Sequence, residues 1–126
     1  MFKKLFRKRI RKIKERFYKQ DILLMDETAN FFGQESLGSW KIRGNGVLLL
    51  TKNELFFEMW KPRKQIAIPI DSISQIENPR SFLGKSVFKP LLKVIFENKD
   101  AKIDSIAWYV KNLNEWNEKL YKLTSK

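Results

Sequence analysis

Residues 46–60 read Gly46-Val47-Leu48-Leu49-Leu50-Thr51-Lys52-Asn53-Glu54-Leu55-Phe56-Phe57-Glu58-Met59-Trp60. Two apolar runs flank a polar pair, and each run is too short for a helix of ordinary length. Val47–Thr51 and Glu54–Trp60 therefore read as two strands joined by a tight turn at Lys52-Asn53. Successive side chains of a strand point to opposite faces. Leu55, Phe57 and Met59 share one face of the second strand, and Phe56, Glu58 and Trp60 share the other.

The same alternation continues outward in both directions. Upstream, Ile22–Met25 is a short apolar run, followed by Asp26 to Gly33 and a polar loop at Gln34 to Ser39. Trp40 to Arg43 alternates, and Gly44-Asn45-Gly46 is a turn signal because Gly and Asn accept positive φ. Downstream, Lys61-Pro62-Arg63-Lys64 breaks the chain and Gln65–Ile70 resumes it. Pro69 cannot donate to a ladder, which implies an edge or a bulge. Ser72–Glu77, Leu91–Glu97 and Lys102–Val110 complete the strands, with Asn78 to Pro90 as loop or irregular strand. The chain then turns helical: Leu113, Trp116, Leu120 and Leu123 fall at helical spacing, and Asn112 with Glu115 has the form of a capping box. Trp108 and Trp116 are expected in the core where the last strand meets this helix. Asp71, Asp100 and Asp104 read as turn residues.

The expected fold is α+β and mainly β, with about seven antiparallel strands closed by one amphipathic helix. Gly46-Val47-Leu48-Leu49-Leu50-Thr51 followed by Leu55-Phe56-Phe57 resembles the first hairpin of pleckstrin-homology-like domains, including GRAM-like members. Ile68-Pro69-Ile70 with Ile73 and Ile76 is similar to their next pair of strands. Leu91 to Phe96 and Asp104 to Trp108 resemble the last strands of small prokaryotic members. The resemblance spans about residues 40–123 and implies a bent sandwich or partly open barrel plugged by its C-terminal helix. The lipid-binding members carry a basic cluster in the first hairpin loop. Here that loop reads as Arg43-Gly44-Asn45-Gly46 with Lys41 nearby, so no phosphoinositide site is assigned.

In front of this domain, taken as residues 21–126, stands an arm of different character. Residues 1–20 carry ten of the 26 bases and one of the 14 acids, which leaves a net charge of +3 for the remaining chain out of +12 overall. On a helical wheel Phe2, Phe6, Ile10, Ile13 and Phe17 fall in a stripe about 80° wide, with Leu5 on its flank. Lys3, Lys4, Arg7, Lys8, Arg9, Arg11, Lys12, Lys14, Arg16 and Lys19 fill the rest. No Gly or Pro interrupts the run.

This is the pattern of an interfacial helix. Apolar residues Phe2, Leu5, Phe6, Ile10, Ile13 and Phe17 would enter an anionic bilayer, and the bases would meet its phosphates. Two other readings remain open: the stripe packs on the body or on a second subunit, or the bases bind nucleic acid. A phosphate backbone has no need of a continuous apolar face, which makes nucleic acid the less favoured partner. Trp60, Lys61, Arg63 and Lys64, at a hairpin tip, form a candidate second membrane contact. Arg80, Lys85 and Lys89 read as a solvated basic loop.

The chain has no Cys and no His. That excludes thiolate metal sites and the ordinary triads. With no nucleophile elbow and no P-loop, neither catalysis nor a cofactor or metal is expected. No apolar run has the roughly 18 residues of a transmembrane helix. The basic start lacks the apolar segment of a secretory signal, and it has no Ser to suggest a transit peptide. A binding module in the cytoplasm, peripheral to the inner membrane face, is the expectation.

Overall fold

The structure, a computed structural model, describes residues 2–17, 21–37, 43–86 and 88–125, with side chains described for all of these except 2–5 and 85. The elements in chain order are α1 (Phe2–Phe17), β1 (Leu24–Gln34), β2 (Gly44–Leu50), β3 (Glu54–Met59), β4 (Lys64–Pro69), β5 (Ile73–Glu77), β6 (Ser81–Phe82), β7 (Lys85–Ser86), β8 (Leu92–Glu97), β9 (Ile103–Tyr109) and α2 (Leu113–Thr124). Seven strands form one antiparallel sheet in the order β4-β3-β2-β1-β9-β8-β5, and β6 and β7 pair separately. The fold is α+β and mainly β. Among the described residues no helix is long and apolar enough to cross a membrane.

The alternation of residues 46–60 sets the two faces. Leu48, Leu50, Leu55, Phe57 and Met59 enter the inner cluster, while Val47, Leu49 and Phe56 belong to another on the outer face. The inner cluster takes residues from all seven strands, from Ile68 on β4 to Ile73 and Ile76 on β5. A sheet whose two edges feed one core must curl around it. Trp108 and Trp116 sit together in that core, at 0% and 2% exposure. Pro69 ends β4, which is an edge of the sheet, where its missing N–H interrupts no internal ladder.

Three local expectations are corrected. Gly44-Asn45-Gly46 is not a turn but the start of β2, paired with Phe31, Asn30 and Ala29 on one side. Gly46 is there for close approach: a Cβ would lie 2.1 Å from the Glu58 carbonyl oxygen and 2.8 Å from Phe57 Cζ. The segment from Leu24 to Gln34 is one strand of 11 residues: it runs on from the apolar run through Asp26–Gly33, and Gln34 belongs to it and not to the loop. Its periodicity is disguised by register shifts at Asp26/Ala29 and Phe31/Gly33, and Gly33 takes φ 126° at the second. Finally, Asn112 makes no side-chain cap. It takes the left-handed conformation at φ 56°, which Asn tolerates, and its carbonyl accepts from the Glu115 N–H. The predicted strand at Trp40–Ile42 lies outside the described residues.

The outer face is apolar too, and other segments cover it. α1 lies over β2 and β3. The β6–β7 hairpin brings Phe82 and Leu83 against Phe32, Leu91, Ala107 and Tyr109.

Candidate functional site

α1 is helical because sixteen residues free of Gly and Pro carry one apolar stripe, and that stripe has a surface to meet. Ile13, 5% exposed, packs with Val47, Leu49 and Phe56. Phe17 tilts against Phe56 at 5.0 Å between centroids, and Phe6 stacks on Trp60 at 4.9 Å and 12°. Ile10 is half-buried between them in sequence.

Arg9, a base of the helix, also turns inward. Arg9 donates from Nε and Nη2 to Glu58 Oε2 at 3.1 and 2.9 Å, and from Nη1 to the Trp60 carbonyl at 2.9 Å. Its guanidinium lies 4.7 Å from the Trp60 ring centroid. Glu58 is 2% exposed, and its other oxygen accepts from Gln65 Nε2 at 2.6 Å and faces Arg63 at 3.7 Å. A buried carboxylate demands such partners, because leaving it unpaired costs far more than a surface ion pair returns.

The sequence-level site is therefore divided. Ile13, Phe17, Phe6 and Ile10 face the protein's own sheet, not a bilayer. The physical reason is the outer face itself: Val47, Leu49 and Phe56 are at 0–1% exposure in a cluster that Ile13 and Phe17 of α1 complete, together with Ile22, Met25 and Trp60. Arg9 serves Glu58 and leaves the group of anion-binding candidates. Trp60 is half-buried beneath Phe6 and Arg9, which withdraws it as a second membrane contact. Lys64 is half-buried with its ammonium 5.7 Å from the Phe31 ring. The side chains of Phe2, Lys3, Lys4 and Leu5, and all of Lys19, lie outside the described residues.

The outward side holds Arg7, Lys8, Arg11 and Lys12, all exposed, while Lys14 is half-buried and 3.9 Å from Glu27, and exposed Arg16 lays its guanidinium 5.1 Å from the Phe56 ring centroid. Exposed Lys61 and Arg63 follow Trp60, the residue on which Phe6 stacks. The helix carries one acid, Glu15. The result is a cationic ridge held at a fixed orientation by packing and by the Arg9–Glu58 pair.

Two buried carboxylates escaped the sequence reading along with Glu58. Asp104 is not a turn residue but lies within β9 at 1% exposure. It accepts from Gln34 Nε2 at 2.7 Å, Ser36 Oγ at 2.8 Å and the N–H groups of Ser36 and Ser105 at 3.0 and 2.8 Å. Burial by itself raises its pKa, but these donors together outweigh it and hold the carboxyl below the ordinary aspartate value. Asp26, 6% exposed, accepts from the Thr28 N–H and hydroxyl and from the Lys111 N–H at 2.7 Å. Both tie strands to neighbouring turns through hydroxyl, amide and backbone donors. Among the described residues no three acids gather as a metal site.

No family model matches the chain, and no curated protein does. Solved structures share the fold. A chain of "The 8S snRNP Assembly Intermediate" superposes with a TM-score of 0.65 over 83% of this chain and 83% of that one, at 10% identity. The C-terminal domain of an unknown protein from Leishmania infantum superposes with a TM-score of 0.62 over 90% of this chain and 95% of that one, at 14% identity. At such identities the likeness is one of backbone architecture alone.

Proposed function

We propose that the chain is a non-catalytic, pleckstrin-homology-like binding module that rests on an anionic membrane surface through the outward face of α1. One observation carries the reading: the helix turns Phe6, Ile13 and Phe17 to the sheet and carries Arg7, Lys8, Arg11 and Lys12 exposed away from it. Each base held near an anionic leaflet contributes about 1 kcal/mol. Four acting together supply about 4 kcal/mol at low salt, enough for reversible peripheral association. The contact is electrostatic, with the helix lying on the headgroups while it stays on its own sheet. Docking improves it, since the ridge is already ordered and no helix has to form on arrival. The place of action that follows is the inner, anionic face of the cell membrane. Of the protein-interaction alternative, pairing between subunits loses support because Phe6, Ile13 and Phe17 pack within the chain, whereas a module whose arm docks on its own domain is compatible with that packing.

Co-sedimentation with vesicles of phosphatidylcholine containing rising phosphatidylglycerol tests this. Binding should rise with the acidic fraction and fall steeply with salt. Charge reversal at Arg7 and Arg11, two exposed positions, should weaken it more than tenfold with no change in melting temperature. Undiminished binding of that variant, or a shift of duplex DNA at physiological salt without vesicle binding, overturns the reading.

A further inference from the structure

The sheet has two edges, and they are treated differently. β5 carries a register shift between Ile73 and Gln75, and α2 packs beside it, with Tyr121 Oη donating to the Ile76 carbonyl at 3.5 Å. β4, at the other end, has β3 as its one strand neighbour among the described residues. Its pairing with β3 runs without a shift from Lys64 opposite Met59 to Pro69 opposite Glu54. An edge strand turns alternate N–H and C=O groups away from its sheet, and a regular one is a template for another strand unless lysine, proline or a bulge guards it. Pro69 caps one end of β4, but the strand has no bulge, and Lys64 at the other end turns inward, its ammonium 5.7 Å from the Phe31 ring centroid. Gln65 and Ala67, between them, are exposed.

The two sides of this edge differ in chemistry. On the outer side a cleft of about 250 Å³ opens between α1 and the β3–β4 hairpin, lined by Lys12, Arg16, Arg63 and Gln65 around the Arg9–Glu58 pair. Arg9 offsets the charge of Glu58, so Lys12, Arg16 and Arg63, all exposed, leave that side cationic. On the inner side Ile66 packs on the core and borders a second cleft, of about 470 Å³, with Pro69 and Phe96. Glu97, Asp100 and Asp104 line it too, against one base, Lys99. A strand laid beside β4 would point successive side chains to these two sides in turn. Acids on the outer parity meet bases, and on the inner parity they would meet acids. Apolar side chains on the inner parity meet Ile66.

We infer that β4 is a docking edge for an extended segment of a partner protein in which acidic and apolar residues alternate. The segment adds a strand to the sheet, with its acids towards Lys12, Arg16 and Arg63 and its apolar side chains towards Ile66. Main-chain pairing supplies the affinity, and the alternation supplies the selectivity. A second copy of this chain is a poorer occupant. It carries a net charge of +12, and pairing β4 with β4 would bring both sets of bases to the same side of the joined sheets. The inference goes beyond the membrane reading and shares Lys12 with it.

A capped hexapeptide of alternating glutamate and valine is the probe, added to the full chain. It should bind, and residue-resolved amide exchange should slow at alternate positions of β4 and stay unchanged in β5. The lysine–valine counterpart should bind about tenfold more weakly or not at all. The glutamate–valine peptide methylated at every backbone nitrogen should not bind, because it has no N–H to give to the ladder. Arg63→Gln should weaken the glutamate–valine peptide about threefold, the effect of one exposed ion pair. Undiminished binding of the methylated peptide overturns strand addition, since charge alone would then hold it. Equal affinity for the lysine–valine peptide overturns the assigned chemistry, and failure of the glutamate–valine peptide to bind overturns the inference as a whole. The peptide experiment contains no lipid, so it and the membrane reading fail separately.

Discussion

The two helices make opposite use of the same device. Each is amphipathic and each lies against the one sheet. α2 puts Trp116 and Leu120 into the core that all seven strands share, at 2% and 0% exposure. Among its described side chains α1 puts one buried residue, Ile13, onto the sheet's other side and adds two aromatic contacts and two ion pairs, Arg9 with Glu58 and Lys14 with Glu27. Its remaining contacts are partial. The polar faces differ as sharply. α2 mixes acid and base, whereas α1 sets nine bases against one acid over its sixteen residues. α2 is thus an integral part of the core, while α1 is a cover whose outward charge is its distinguishing property.

The comparison is tested hardest by truncating each helix's anchor. Trp116→Ala removes a large side chain from the centre of the core and should cost about 3–5 kcal/mol, a large share of the stability of a domain this size. Urea unfolding followed by near-ultraviolet circular dichroism measures it. Ile13→Asp should cost less, about 2 kcal/mol, because it detaches a cover and leaves the inner core packed. Amide exchange should then show α1 unprotected and β2, β8 and β9 still protected. A global loss of protection in the Ile13 variant would erase the distinction drawn between the helices.

The ion pair beneath α1 sharpens the same point. Arg9→Met leaves Glu58 buried with only Gln65 and a more distant Arg63. Loss of a partner from a fully buried pair costs about 3–5 kcal/mol. Arg9 keeps 18% of its side chain in water, which brings the expected cost nearer 2 kcal/mol. Replacing both residues with Met should recover most of it, since no charge is then stranded. Equilibrium unfolding of the two variants compares them directly.

The sequence announced the strands and their faces but not which surface would cover the outer one. Val47-Leu48-Leu49-Leu50 and Leu55-Phe56-Phe57 are apolar on both parities, and that is the mark of a strand buried on both sides. Read together with a stripe at Phe6, Ile10, Ile13 and Phe17, it pairs a bare surface with a bare helix. Glu58 was the harder residue. A lone acid between Phe57 and Met59 has a partner 49 residues away, and local periodicity carries no information on that distance. β1 was obscured for a different reason: bulges break the period of two on which strand reading depends. The end of β1 held a third buried acid's donors, Gln34 and Ser36, inside a stretch that reads as plain polar loop.

That third acid also supplies the smallest expected effect, and a contrast with Glu58. Asp104 is satisfied by neutral donors alone, away from both helices. Its folded pKa lies below the ordinary value of about 3.9. A carboxyl depressed in the folded state binds its proton more readily when unfolded. Its contribution is therefore fully present above the unfolded pKa and is lost as pH falls through the lower, folded one. Between neutral pH and pH 5 the stability owed to Asp104 should stay constant, and below pH 4 it should decline. Asp104→Asn keeps the shape but presents an N–H₂ or a single oxygen to four donors, so it should destabilise the protein at pH 7 and lose that deficit in acid. Paired urea titrations of the two proteins at pH 7 and pH 3 read the difference. A deficit that persists undiminished at pH 3 would mean that Asp104 acts through its shape and its hydrogen-bond count, and that its charge contributes nothing.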